Sequence, residues 1–434
     1  MFFRSFIPVV PPLFQHVKYK VKIEMETPKV SVNAAAARLP LVEFILLMAL
    51  MTSLVALSID AMLPALDKIG SELNSTSNQQ TYLIISIFFF GMAFGQVFFG
   101  PFADARGRRL TIVVGLLIFL FGTAICYFAK SMEVLLIGRV IQAFGVSGPR
   151  VASMALVRDL YVGDAMARVM SFTTVIFILV PMIAPLVGQL VMGVFGWRHI
   201  FTVFAIVALI TAIWFFSRQK ETLPRAQRVK FNFSAFFDSI IWLLKQPAVM
   251  GPALGMGLIF GSFLAYLSGS QTIFQSIYDT GEYFPLLFAT LAFAIGAASF
   301  FNGMMVVKIG MIKLVKVALV LSMVFGMTLT LVGLLFSGVP PLWLFIVVMF
   351  FGFFFLGVLF GNLNALAMVP VGHIAGVGAA FIRSFSSILA VPIALLINMF
   401  LSDTIMPIAY GFLVFSIATY LTVSLGIKYT PSEG

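Results

Sequence analysis

Two charged residues lie inside otherwise apolar stretches and are the groups best placed to do chemistry: Asp60, late in the run Leu41 to Leu63, and Arg139, early in the run Val134 to Val157. A charge at the centre of a bilayer costs about 2.5 to 3.5 kcal/mol on insertion scales, so each is expected to face a wet cavity or a partner rather than lipid. Burial strengthens a carboxyl group's hold on its proton, and a neighbouring guanidinium weakens it. A carboxylate set between those influences can exchange a proton as helices move or as another solute arrives. Both residues also have a plainer reading. Asp60 can be an interfacial group near a helix end, and Arg139 a cross-link to backbone carbonyls of the next helix.

The elements that position them follow from composition. The chain has 434 residues, 61% hydrophobic and only 10% charged, with a mean hydropathy of +1.09. That leaves too little polar surface for a soluble globule. About twelve apolar runs of near-bilayer length predict an all-α integral membrane protein, since an outer-membrane barrel would alternate polar with apolar residues. The polar break from Ser217 to Gln246 divides the runs into two halves. Residues 1–40 read as a basic, disordered extension, 41–217 as a first six-helix bundle, 218–246 as a linker, 247–427 as a second bundle and 428–434 as a tail. Within the linker, Phe231 to Leu244 fits an amphipathic helix on the inner membrane surface. The 49 phenylalanines are expected to face mainly lipid.

Basic residues orient the chain. With the amino terminus inside, only Lys68, Lys130 and Arg198 fall outside, while Arg139, Arg150 and Arg383 remain within spans. This bias places both termini in the cytoplasm. The net charge of +11 is then a matter of topology and lipid headgroups, with no call for nucleic acid. The three histidines, His16, His199 and His373, are far apart, so no metal site is expected, and the single Cys126 allows no intrachain disulfide. No nucleophile, base and orienting group occur together at membrane depth, which argues against an enzyme. No cofactor is expected beyond the proton.

The turn Gly100-Pro101-Phe102-Ala103-Asp104-Ala105-Arg106-Gly107-Arg108-Arg109 resembles the loop between helices two and three of the major facilitator superfamily. Gly303 and Gly310 repeat its two-glycine spacing in the second half, with Val307 where Asp104 stands. The segment Ser58 to Leu66 resembles the first-helix signature of the bicyclomycin/chloramphenicol-resistance (Bcr/CflA) branch of drug:proton antiporters. Gly138 to Gly145 resembles the superfamily's fourth-helix signature, and Val157 to Tyr161 and Gly196 to Phe201 resemble junctions of that branch. The fifth run carries Pro181, Pro185 and Gly188, where efflux members carry a bending motif, but ends in Gln189 instead of a paired glycine.

The resemblance implies two pseudo-symmetric bundles around a central cavity, alternating access, and proton-coupled export of small amphipathic molecules across a bacterial inner membrane by a monomer. It implies proton coupling at Asp60, with Arg139 setting its affinity. Import, export of a metabolite or siderophore, and a non-transporting sensor or scaffold remain open on the same fold. Gln142, Tyr266, Asn362 and Asn364 are candidates for the cavity wall, each equally able to serve as a helix–helix hydrogen bond. Arg150 and Arg383 are further intramembrane cations that favour neutral or anionic solutes. On the basic side, Arg108 is expected to pair with Asp159, and Asp104 to accept from amides near Gly372 to Ala375. With Gly100, Gly107, Arg109 and Arg158 they would form a latch between the halves, unless these charges only enforce topology.

Overall fold

The computed structural model describes residues 39–75, 77–161, 163–228 and 233–429. The chain has no option but helix where it crosses lipid, because every backbone amide and carbonyl must there be satisfied within its own segment. Among the described residues there is no strand. The first bundle comprises α1 (Leu41–Asp60), a short α2 (Leu66–Glu72), α3 (Asn78–Arg106), α4 (Arg108–Tyr127), α5 (Met132–Leu160), α6 (Gly163–Phe195) and α7 (Arg198–Arg218). After α8 (Phe233–Leu244) comes the second, with α9 (Pro247–Gln271), α10 (Phe284–Ile309), α11 (Met311–Leu335), α12 (Leu342–Met368), α13 (Ala375–Asn398) and α14 (Met406–Ile427). Twelve helices are long and apolar enough to cross a membrane, with α1 and α2 forming one span. The helices overrun the apolar runs: α3 continues to Arg106 and α5 to Leu160, since hydropathy marks only the part that meets lipid.

Within the first bundle α5 packs on α3 and α4, and within the second α9 packs on α13 and α14. The bundles meet where α3 lies against α13 and α6 against α10. Helix α8 rests on α9 and α13, burying Leu243 and exposing Phe237 and Ile241, as an amphipathic segment should. Its expected first residues, 231 and 232, lie outside the described residues, as do residues 1–38 of the amino-terminal extension and 430–434 of the tail.

The two halves repeat one another at the turn that carries the glycine motif. Gly107 joins α3 to α4 with φ +99°, and Gly310 joins α10 to α11 with φ +85°, a conformation that L side chains rarely adopt. Phenylalanines divide between two roles. Phe121, Phe128 and Phe300 are exposed on the outside of the bundles, while Phe88, Phe99, Phe201 and Phe274 are fully buried. The expectation that they serve mainly lipid therefore holds only for the first group.

Candidate functional site

A cavity of about 430 Å³ lies between the bundles, a size that suits a drug-sized molecule. Its wall is mostly apolar, with eight aromatic residues, and comes from both halves. Phe89 of α3 meets Phe260 of α9 edge-on at 5.3 Å, and Phe260 continues to Phe360 of α12 at 5.9 Å. Three charged groups interrupt this wall: Asp60, Arg150 and Arg383.

Asp60 is the last residue of α1, 5% exposed, and makes no hydrogen bond or ion pair among the described residues. Helix α6 backs it closely. A side chain at Gly188 would overlap the backbone oxygen of Ala61, so glycine is required for α6 to approach there. Pro181 of the same helix lines the cavity, and Pro181 and Pro185 both lie inside α6, whose span they leave unbroken. Across the cavity from α9 comes Tyr266, 1% exposed, whose hydroxyl has no hydrogen-bond partner and lies within the electrostatic reach of Asp60.

Arg150 and Arg383 belong to opposite bundles and line the same cavity. Arg150 donates only to the sulfur of Met92, at 3.2 Å. Neither arginine has a carboxylate partner among the described residues. Arg383 and Gln96 also line a second cavity, of about 390 Å³, bounded by Gly100, Asp104, Arg108 and Arg158. Gln96 and Arg383 thus stand between the central chamber and the basic end of the bundle.

At the opposite end the halves are bonded together. The Gln271 side chain donates to the backbone oxygen of Pro64 at 3.2 Å and accepts from the amide of Asp67 at 3.1 Å. Beside it the Tyr82 and Thr272 hydroxyls share a hydrogen bond of 2.8 Å. Gln271, Thr272 and Tyr82 are all buried. These bonds join the bundles at the α1–α2 turn, and the second cavity lies towards the basic end.

Arg139 is not in this chamber. Its guanidinium donates to the Ile84 backbone oxygen at 3.2 Å and to Gln142 Oε1 at 2.7 Å, and lies 4.3 Å from the Phe88 ring centre. Gln142 in turn donates to Thr123 at 2.8 Å. Arginine, glutamine and threonine therefore brace α3, α4 and α5, with Arg139 fully buried, and the expected shared chamber of Asp60 and Arg139 is not formed here. Asn362 likewise bonds Asn302 and the Val358 backbone, and Asn364 is absent from the cavity wall. Of the four polar candidates only Tyr266 lines the cavity. The other three sit on helix faces turned from it, which side-chain polarity alone cannot reveal.

The basic turn forms the expected pair. Arg108 donates to Asp159 at 2.9 Å and to Asp104 at 2.6 Å. Asp159 also accepts from Thr222, at 2.9 Å. The amides of Arg108 and Arg109 point to Glu221, whose two carboxylate oxygens accept them at 3.0 Å each. A carboxylate is well placed there, at the positive end of α4. Arg109 donates to the backbone oxygen of Phe216 at 2.9 Å and lies over its ring. These described bonds tie α3, α4, α5 and the segment after α7 to one another within one bundle and do not cross between bundles. Contact with the other half comes instead from Gly100 beside Ala380 and from Ser384, which donates to the Ala93 backbone oxygen at 2.8 Å. The expected acceptance by Asp104 from amides near Gly372 to Ala375 falls on a stretch in which 372, 373 and 375 lie outside the described residues. Sequence reading missed Glu221 and Gln271. Glu221 carries a signal, being one of two acids in a basic linker; Gln271 falls in the stretch Ser268 to Gln275, where the second half resembles the family, but its partners stand some 200 residues away.

Comparison with known proteins agrees with this architecture. A solved structure of the D-xylose-proton symporter superposes with a TM-score of 0.74 at 14% identity, over 90% of this chain and 98% of that one. The bicyclomycin resistance protein homolog of Haemophilus influenzae is 29% identical over 375 residues, 85% of this chain and 92% of the relative. The multidrug resistance protein MdtL of Salmonella heidelberg is 28% identical over 280 residues, 63% and 69% of the two chains. The family model for the Major Facilitator Superfamily matches residues 48–394. With twelve helices of spanning length in two matching bundles around one chamber, the chain belongs to the Major Facilitator Superfamily and is a multi-pass membrane transporter, not an enzyme.

Proposed function

We propose that the protein exports small amphipathic molecules of the drug or antibiotic type in exchange for protons, by rocking of one bundle against the other. The basic end faces the cytoplasm of a bacterial cell, both termini lie inside, the membrane is the inner one and the monomer is the working unit. One observation carries the reading: a carboxylate without a partner among the described residues, Asp60, stands in an apolar chamber that is bonded across at one end and shares Gln96 and Arg383 with a second cavity at the other. Asp60 takes a proton when the Gln271 end is open and gives it up when the basic end is open. Arg139, held by Ile84 and Gln142, maintains the α3–α5 packing beside the chamber. The printed names of the relatives, bicyclomycin resistance and multidrug resistance, support the substrate class. One proton supplies about 1.4 kcal/mol per pH unit and about 2.3 kcal/mol per 100 mV, enough to hold a gradient of tenfold or more.

The test is flux in proteoliposomes under an imposed pH gradient, with bicyclomycin as probe. Wild type should move bicyclomycin against the proton gradient, and Asp60→Asn should lose gradient-driven flux while inserting normally. Unimpaired proton-driven flux in Asp60→Asn would remove the proposed coupling site.

A further inference from the structure

Two buried guanidiniums elsewhere, Arg108 and Arg139, are held by several partners, although the Nη2 of Arg139 has none. Arg108 has two carboxylates, and Arg139 has a carbonyl, an amide oxygen and a ring. Arg150 and Arg383, both half-buried, differ: one meets a thioether, the other makes no hydrogen bond among the described residues, and the two line one cavity from opposite bundles. Two cations held near each other across a bundle interface are relieved by an anion between them, and guanidinium forks suit a carboxylate.

At the other side of the same chamber the sign reverses. Asp60 also lacks a partner, and the unbonded Tyr266 hydroxyl accompanies it. Asp60 ends α1 beside the turn that Gln271 binds, whereas Arg383 also lines the cavity at the basic end, so acid and arginine stand towards opposite ends of the chamber. The wall between is aromatic, with Phe89, Phe260 and Phe353 among its members.

We propose that the cavity takes an elongated, aromatic, amphoteric molecule, its anionic group held between Arg150 and Arg383 and its ammonium group at Asp60. This rests on the exchange reading and gives it a physical basis. The ammonium replaces the proton at one carboxylate, so proton and substrate exclude each other there. The anionic end meanwhile joins one arginine from each bundle, so a loaded cavity draws the two halves together on the basic side.

The experiment is equilibrium binding to the full chain in nanodiscs, with three probes of matched shape: 4'-(aminomethyl)biphenyl-4-carboxylate, biphenyl-4-carboxylate and biphenyl-4-ylmethylammonium. The amphoteric probe should bind at least tenfold more tightly than either relative. Arg150→Met and Arg383→Met should each weaken the two carboxylates tenfold or more relative to the ammonium compound, with Arg150→Lys and Arg383→Lys restoring part of the loss. Asp60→Asn should weaken the two ammonium compounds relative to the plain carboxylate. Equal loss of all three probes in every variant overturns the proposal. So does an Asp60→Asn that tightens the carboxylate and spares the ammonium compound, for then Asp60 is only the arginines' counter-ion. The charge pattern without proton-driven bicyclomycin flux would sink the exchange reading alone, and flux without the pattern would sink the amphoteric assignment alone.

Discussion

Replacing Gln271 with alanine removes both of its bonds between the bundles, to the Pro64 oxygen and from the Asp67 amide. When the bundles part, water can take over each of these groups, so the difference between closed and open is the net worth of two hydrogen bonds, about 2 kcal/mol. That corresponds to a shift of about 30-fold in the ratio of open to closed at this end. Tyr82→Phe removes one hydrogen bond, to Thr272, and should shift the ratio about fivefold. Spin labels at Lys68→Cys and Ser276→Cys, both exposed and on opposite bundles at this end, report the two populations as two distances. The natural Cys126 is buried and is replaced by alanine in this background. A Gln271→Ala distance distribution within twofold of wild type would refute the assignment of these bonds as the closure of this end.

Three further outcomes follow from the packing. Asp159→Asn should lower stability by about 1–3 kcal/mol, because it leaves the buried Arg108 short of a charge partner, whereas Asp104→Asn, at an exposed carboxylate, should cost less than about 1 kcal/mol; thermal unfolding in detergent checks the order, and a reversed order contradicts it. Arg139→Met should lower stability by about 1–3 kcal/mol through loss of the brace to Ile84 and Gln142, read as a lower unfolding temperature, yet leave probe affinity in place; the opposite pattern would return Arg139 to the binding chamber. Gly188→Ala should force α6 away from Ala61 at about 1–3 kcal/mol and slow flux, and normal melting with normal flux would show that this close approach is dispensable.

Much of the fold was legible because a membrane imposes one answer on an apolar run of sufficient length. The charged turn was legible too, since Arg108 and Asp159 had few polar alternatives in an apolar chain. Asp60 and Tyr266 were placed at the cavity, and so were Arg150 and Arg383. Arg139, Gln142, Asn362 and Asn364 were harder, for a physical reason: α12, which carries both asparagines, is apolar around its whole circumference, so no polar stripe shows which face turns inward. The closure by Gln271 was illegible for a related reason. It ends α9 just before a π-helical stretch, Thr272–Ile277, and its partners at Pro64 and Asp67 stand some 200 residues away, out of reach of any local pattern.

Glu221 has a mechanical consequence. By gripping the amides of α4, and with Arg228 3.9 Å from its own carboxylate, it fastens the chain after α7 to the first bundle as far as Arg228. Helix α8 already rides on the second bundle from Phe233 onward. The covalent bridge is thereby cut from a thirty-residue strap to five Cα-to-Cα steps, which reach at most about 17 Å when fully stretched. However far the bundles separate elsewhere, their parting beside this bridge is capped by that length, and lengthening or shortening the bridge by a few residues is a direct way to tune the stroke.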